Sequence, residues 1–208
     1  MSRHKIAILV GSLRKGSINR KVAKSICAFA GEMLDCEIVE IGDLPLYNED
    51  LDNDRPPEAW ARFRQKTAAA DGVLFCSPEY NRGIPGGLKN AIDVGSRPYG
   101  KSVFDKKPAA IVTASPGSIG GFGANHQIRQ AGVFMKMPVM QQPEAYFSKV
   151  SDDSFDASGC LKDRPLKDLV MVVAASFADW VEMILKSRRL LAEDAAHAAQ
   201  REKEQEHA

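Results

Sequence analysis

Residues 11–19, Gly11-Ser12-Leu13-Arg14-Lys15-Gly16-Ser17-Ile18-Asn19, gather two glycines, two serine hydroxyls, an asparagine amide and an arginine into one short stretch. Backbone N–H groups, hydroxyl donors and a guanidinium are the donors that a dianionic phosphate requires. A helix opening near Asn19 would add the positive end of its dipole. The alternative is an ordinary turn, with Ser17 as the helix cap and Gly16 relieving backbone strain. Spacing argues against two other phosphate motifs. A P-loop needs lysine directly after its second glycine, whereas Ser17 follows Gly16 and Lys15 precedes it. A dinucleotide fingerprint needs a second glycine two positions after Gly11, where Leu13 stands. A short phosphate-binding turn for a mononucleotide remains.

The second informative stretch is Ser77-Pro78-Glu79-Tyr80-Asn81-Arg82-Gly83-Ile84-Pro85-Gly86-Gly87-Leu88-Lys89-Asn90, with three glycines and two prolines. Such a composition fixes an irregular backbone that can approach a ligand closely. Tyr80 offers a flat surface and Asn81 an amide. The competing reading is a helix-entry loop with an exposed tyrosine. Ser115-Pro116-Gly117-Ser118-Ile119-Gly120-Gly121 has the same character, and its glycines would let backbone approach a planar ring.

The elements that must position these loops are legible from periodicity. Ile6-Ala7-Ile8-Leu9-Val10 is an unbroken apolar run ending at Gly11, as expected of a parallel strand covered on both faces. Residues 19–33 read as a helix, 37–41 as a second strand, and a helix starts at Pro56-Pro57-Glu58. Val73-Leu74-Phe75-Cys76 is a third strand, 86–94 a helix, 109–113 a fourth strand and 124–135 a helix. Pro138-Val139-Met140 reads as a weak fifth strand and 151–163 as a loop or small hairpin. A last helix carries Leu166, Leu169, Val170, Val173, Phe177, Val181 and Ile184 on one stripe, which fades beyond Leu191 into a solvated or frayed end. Serial βα units imply an α/β fold with one parallel sheet and helices on both faces. Ligands of such sheets bind beyond the carboxyl ends of the strands, so the loops after strands one, three and four should carry the function. The expected organisation is one domain over residues 1–190 and a charged, alanine-rich extension over 191–208.

Composition sets the outer limits. The 208 residues suit a single α/β domain, and 44% hydrophobic with 26% charged residues argues against a disordered chain. The formal charge of +1 provides no field for nucleic acid or anionic lipid. No apolar run approaches a membrane span, and residues 6–10 are too short for a signal-peptide core. Cys27, Cys36, Cys76 and Cys160 form no CxxC pair, which makes a disulfide framework or zinc ribbon unexpected and a cytoplasmic location the expectation. Cys76 reads as a small core residue and His126 as a solvated or capping histidine. The carboxylates Asp152, Asp153, Asp156 and Asp163 lack the glycine and glutamate of a calcium loop.

Three motifs together carry a resemblance: G-S-L-R-x-G-S-x-N after strand one, S-P-E-Y-N-R-G-I-P-G-G-L-K-N-A-I-D after strand three, and S-P-G-x-I-G-G after strand four. The chain resembles the NADPH-dependent FMN reductase family, in its quinone and chromate reductase branch. The resemblance implies a three-layer flavodoxin-like fold with strand order 2-1-3-4-5, bound FMN, and a homo-oligomer, dimer or tetramer. It also implies hydride transfer from NADPH or NADH to flavin N5 and then, in ping-pong exchange, to a quinone or another small acceptor. Chromate, ferric, azo and nitro compounds would be further acceptors. By the same resemblance, Ser12, Arg14, Ser17, Ile18 and Asn19 would hold the FMN phosphate. Pro78, Glu79, Tyr80, Asn81, Arg82 and Gly83 would line the isoalloxazine, and Ser115, Pro116 and Gly117 would complete the pocket. Backbone N–H groups of residues 80–83 would stabilise negative charge on the reduced ring, and no side chain need act as a catalyst. Arg14, Arg82 and Lys101 are candidates to meet a ribose 2′-phosphate. Arg129 and residues 141–146 are candidates for contact with a neighbouring subunit. The rival reading is a flavodoxin-type electron carrier, which the near-neutral charge disfavours because such carriers are usually strongly acidic.

Overall fold

A computed structural model describes residues 3–157 and 159–206. Met1, Ser2, Ser158, His207 and Ala208 lie outside the described residues, and with them one residue of the expected 151–163 loop and the last two of the expected extension.

Five parallel strands, β1 (His4–Val10), β2 (Leu34–Ile38), β3 (Gly72–Ser77), β4 (Ala109–Ala114) and β5 (Ala145–Phe147), form one sheet in the order β2-β1-β3-β4-β5. Every residue of β3 and β4 is buried, as is β1 from Ile6 to Val10. Such strands lack polar alternation because helices cover both faces. On one face α1 (Ile18–Phe29) and α5 (Arg164–Glu206) bury Val22, Ile26, Val173, Phe177 and Val181 against Ile6, Ile8, Leu74 and Val112. On the other, α2 (Glu58–Ala68), α3 (Gly86–Ser96) and α4 (Phe122–Phe134) cover Leu9, Val73, Phe75 and Ile111 with Trp60, Phe63, Leu88 and Ile128.

The structure moves several expected boundaries. α1 stops at Phe29 and Gly31 follows, so β2 begins at Leu34 rather than at residue 37. Val39 still donates to the Ile8 carbonyl, but Val39 and Ile41 then turn into the core of the opposite face. Residues 138–140 are not the fifth strand. Val139 makes a single isolated bridge with Ala109, while the Pro138 carbonyl also accepts from the Trp180 indole at 2.8 Å. The true β5 pairs Ala145, Tyr146 and Phe147 with Val112, Thr113 and Ala114, at the far end of β4. The 151–163 segment contains a 3-10 turn at Asp152–Ser154 and a bridge between Phe155 and Leu161. α5 runs unbroken past Leu191, and residues 191–201 are all exposed.

Candidate active site

Loop one leaves β1 at Gly11, whose N–H donates to the Cys76 carbonyl at 2.9 Å and draws the loop against β3. A β-carbon on Gly11 would lie 2.5 Å from Ser77 Oγ, so this approach requires glycine. Ser12 is buried at 5% exposure, whereas Leu13, Arg14, Lys15 and Gly16 are exposed. Ser17 is the N-cap of α1, and its Oγ accepts from the Arg20 N–H at 3.1 Å. The expected cap is thus present, and it leaves the hydroxyl able to serve an anion as well, because a hydroxyl that accepts still has its own proton to donate. The first turn of α1 contains no acidic residue. The free amides of that turn, two hydroxyls and the Arg14 guanidinium form a donor set that fits a dianion. Nearby, the Asp152 carboxyl is held below its ordinary range, chiefly by the hydrogen bond and charge of Lys21, with Arg14 contributing.

Two residues expected in this cradle face elsewhere. Ile18 packs its side chain into the core under α1 and α5, leaving only its backbone to the loop. Asn19 is 3% exposed; its Nδ2 donates to the Ala114 carbonyl at 3.0 Å, and its Oδ1 accepts from the Ala114 N–H at 3.1 Å. The Asn19 side chain thus locks the start of α1 to the end of β4 and holds loop one against loop four.

In loop three, Tyr80 N–H donates to the Gly83 carbonyl at 3.1 Å and Gly83 N–H donates back at 2.9 Å. Asn81 and Arg82 between them have φ of 51° and 66°. This is a tight turn with both central residues left-handed, easy for asparagine and strained by about 1 kcal/mol for arginine. The N–H groups of Tyr80 and Gly83 are thus engaged within the turn, and Asn81 and Arg82 are left as its amide donors. Pro78 is half-buried. Glu79, with its side chain 11% exposed, accepts from the Ala124 N–H at 2.9 Å and so docks the loop on the N-terminus of α4. Arg82 lies 3.7 Å from Glu79 Oε1 with its own side chain 74% exposed. A β-carbon on Gly123 would sit 2.5 Å from the Arg82 carbonyl, so glycine allows the turn to rest on α4. Gln127 completes the support by accepting from Ile84 N–H at 3.0 Å.

Loop four is tied to β5. Ser115 N–H donates to the Phe147 carbonyl, Ser115 Oγ accepts from Gly117 N–H at 3.1 Å, and Gly117 accepts from Lys149 N–H at 3.1 Å. Pro116 and Gly117 are exposed, and Gly120 and Gly121 are left-handed with φ of 58° and 83°. Next to this loop, Thr113 Oγ1 is buried without a hydrogen-bond partner among the described residues. Ser12, Arg14, Ser17, residues 78–83 and residues 115–117 therefore all belong to loops leaving the carboxyl ends of adjacent strands. Lys101 does not, because it lies in the loop that enters β4, at the other end of that strand. Arg129 is engaged internally, donating to Asn125 Oδ1 at 2.9 Å and to the Met140 carbonyl at 3.0 Å.

One cluster has no counterpart among the motifs. Tyr146 donates to Glu144 Oε1 at 2.9 Å and lies 3.1 Å from His126 Nε2, with Phe122 packed on His126 at a centroid distance of 4.1 Å. Burial first, and the Glu144 contact second, push the Tyr146 phenol up. Its residues come from α4, from β5 and from Glu144 just before β5, with no fixed spacing for a motif to capture.

A family model described as NADPH-dependent FMN reductase matches residues 4–152, which span all five strands and loops one, three and four. The chain belongs to the NADPH-dependent FMN reductase family. As a member, it is an oxidoreductase whose cofactor is FMN and whose electron donor is NAD(P)H. It is 54% identical over 180 residues to a quinone reductase of Pseudomonas putida, an alignment covering 86% of this chain and 96% of that protein. It is 41% identical over 177 residues to a 2-hydroxy-1,4-benzoquinone reductase of a Burkholderia species, covering 85% and 96% of the two chains. Its fold is similar to that of a flavoenzyme NAD(P)H:(acceptor) oxidoreductase from Paracoccus denitrificans. There the TM-score is 0.80 at 36% identity, over 86% of this chain and 98% of the other. The sheet order and layering are those of a flavodoxin-like fold. No helix of the described residues is long and apolar enough to cross a membrane.

Proposed function

We propose that this reductase family member passes electrons from NAD(P)H through FMN to quinones. The observation that carries the choice of acceptor is the 54% identity, over nearly the whole of both chains, to the P. putida quinone reductase. When bound, FMN supplies the two-electron chemistry. The chain's residues hold and orient it. Arg14, the hydroxyls of Ser12 and Ser17 and the first amides of α1, from Ile18 and Asn19, bind the phosphate. Pro78, Glu79, Tyr80, Asn81, Arg82 and Gly83 line the ring, with Ser115, Pro116 and Gly117 closing the opposite edge. The Asn81 and Arg82 amides stabilise negative charge there, held by a turn that Glu79 anchors to α4. With Arg14 committed to the FMN phosphate and Lys101 at the wrong end of the sheet, Arg82 is the remaining cation for a ribose 2′-phosphate.

A homo-oligomer belongs to the same proposal. The face of α4 carries Phe122, Val133 and Phe134 at 49%, 77% and 67% exposure, apolar area of the kind a second copy would cover. Residues 191–208 extend the domain and have no part in the site. The cytoplasm is the proposed compartment, in keeping with four cysteines that form no CxxC pair. The test is steady-state NADPH oxidation by the FMN-loaded protein with and without 1,4-benzoquinone. A quinone-dependent rate with parallel double-reciprocal lines is expected. A rate indifferent to quinone would overturn the choice of acceptor.

A further inference from the structure

The paired hydrogen bonds of Tyr80 and Gly83 fix the shape of the turn in loop three, but not its direction. Direction comes from α4. At the near end, Glu79 Oε2 accepts from the Ala124 N–H at 2.9 Å. At the tip, the Arg82 carbonyl rests on Gly123, where a β-carbon would come within 2.5 Å. At the far end, Gln127 Oε1 accepts from the Ile84 N–H at 3.0 Å. The Gln127 amide also lies against Gly83, where a β-carbon would sit 3.0 Å from Oε1. Residues 123, 124 and 127 fall within about one turn of the helix, so a single rigid segment carries all three contacts. That segment is seated on the sheet by Ala124, Asn125 and Ile128, which are fully buried. Gln127 itself is exposed and belongs to none of the three motifs. The support matters because Asn81 and Arg82 are both left-handed, and such backbone persists only where its surroundings hold it.

We infer that Gln127, together with Glu79, is a positioning residue that raises the reduction potential of the bound cofactor by keeping the Asn81 and Arg82 amides aimed at the ring. The inference rests on the proposed placement of the ring against residues 78–83. A hydride carries two electrons and one proton, so accepting it adds one negative charge to the ring. Donors that already point at that charge favour it without reorganising. Once Gln127 lets go of the Ile84 N–H, residues 81 and 82 can relax toward ordinary backbone and their amides turn to water. The reduced form then loses stabilisation. The oxidised form does not, because its grip lies chiefly at the phosphate, on loop one. Glu79 allows the sign to be tested. As an anchor it raises the potential, whereas its carboxylate acting as a bare charge beside the ring would lower it.

The experiment measures the two-electron potential of FMN-loaded protein anaerobically against a reference dye, with oxidised-FMN affinity and melting temperature alongside. Gln127→Met keeps the length of the side chain and removes its acceptor. It should weaken binding of reduced relative to oxidised FMN roughly tenfold, a fall of about 30 mV for a two-electron couple. Its affinity for oxidised FMN should be unchanged and its melting temperature within about 2 °C of the parent, because the side chain is exposed. Glu79→Gln and Glu79→Met both lack the charge and differ in whether an acceptor remains for the Ala124 N–H. The Met variant should have the lower potential of the two. Should the Glu79 variants fail to fold, Gln127→Met decides alone. An unmoved potential in Gln127→Met, or equal potentials in the two Glu79 variants, would overturn the inference while leaving the flavin reading intact. A parent protein that retains no FMN would instead overturn both, and its lack of colour shows this before any variant is made.

Discussion

Arg14 and Asn19 stand in one motif and do different work. The Arg14 guanidinium is exposed in loop one, so Arg14→Ala should leave the melting temperature within about 2 °C while weakening FMN binding roughly 10- to 100-fold, the worth of a charge-assisted contact. Fluorescence titration of the apoprotein with FMN measures this. Asn19→Ala should act on the fold instead. It leaves both polar groups of the buried Ala114 peptide positions without partners and should cost about 2–4 kcal/mol in urea unfolding. An amide after S-x in a phosphate loop reads as a ligand because sequence spacing cannot show that Ala114, 95 positions away, stands opposite it. The same holds for loop three. Its glycines and prolines announced an irregular turn near a ligand, but not that Tyr80 and Gly83 would consume each other's amides.

A further residue pair lies outside every motif. Arg64 of α2 binds Asp52 through two bonds of 2.7 Å and reaches the Val94 carbonyl of α3 at 2.9 Å, while Tyr47 donates to the same carboxylate at 3.2 Å. The Asp52 side chain is 4% exposed, and the Arg64 hydrogen bond holds its carboxyl below the ordinary range. A carboxyl depressed in the folded state adds stability that is fully present above the unfolded value near 3.8 and is lost as pH falls through the folded value. Stability contributed by the pair should therefore be flat from neutrality to about pH 5 and decline below about pH 4. In Asp52→Asn, which should cost about 3 kcal/mol at neutral pH, that acid-dependent decline should shrink. Urea midpoints across pH for the two proteins provide the check.

At the scale of elements, the site depends on how closely neighbouring loops approach. Gly11→Ala would thrust a β-carbon to 2.5 Å from Ser77 Oγ and separate loops one and three. FMN retention and melting temperature should both fall, and Ser77→Gly in the same chain should restore part of each loss; no rescue would refute this close-contact explanation. The long strands, the helix stripes and the placement of loops at strand ends were legible because apolar periodicity is a property of consecutive residues. β5 was not. It is three residues long, Tyr146 in it is half-buried and polar, and its place is set by pairing with the end of β4. The apolar residues 138–140 gave the stronger local signal, but their one bridge to the sheet is to Ala109 at the start of β4.

For the molecule as a whole, a single doubly wound sheet uses the chain up to the middle of α5, and residues 191–201 are all exposed. A chain ending at Leu190 should keep the melting temperature of the full protein to within about 2 °C and retain its FMN. The central claim is that the three loops together form a flavin site that takes electrons from NAD(P)H and delivers them to a quinone. The most direct measurement is anaerobic. FMN-loaded protein is titrated with NADPH while flavin absorbance is followed, and 1,4-benzoquinone is then added. Bleaching with one equivalent of NADPH per flavin is expected, with immediate return of the colour on adding quinone, both weakened in Arg14→Ala in proportion to FMN lost. A protein that binds no FMN, or whose flavin colour survives excess NADPH, would contradict it.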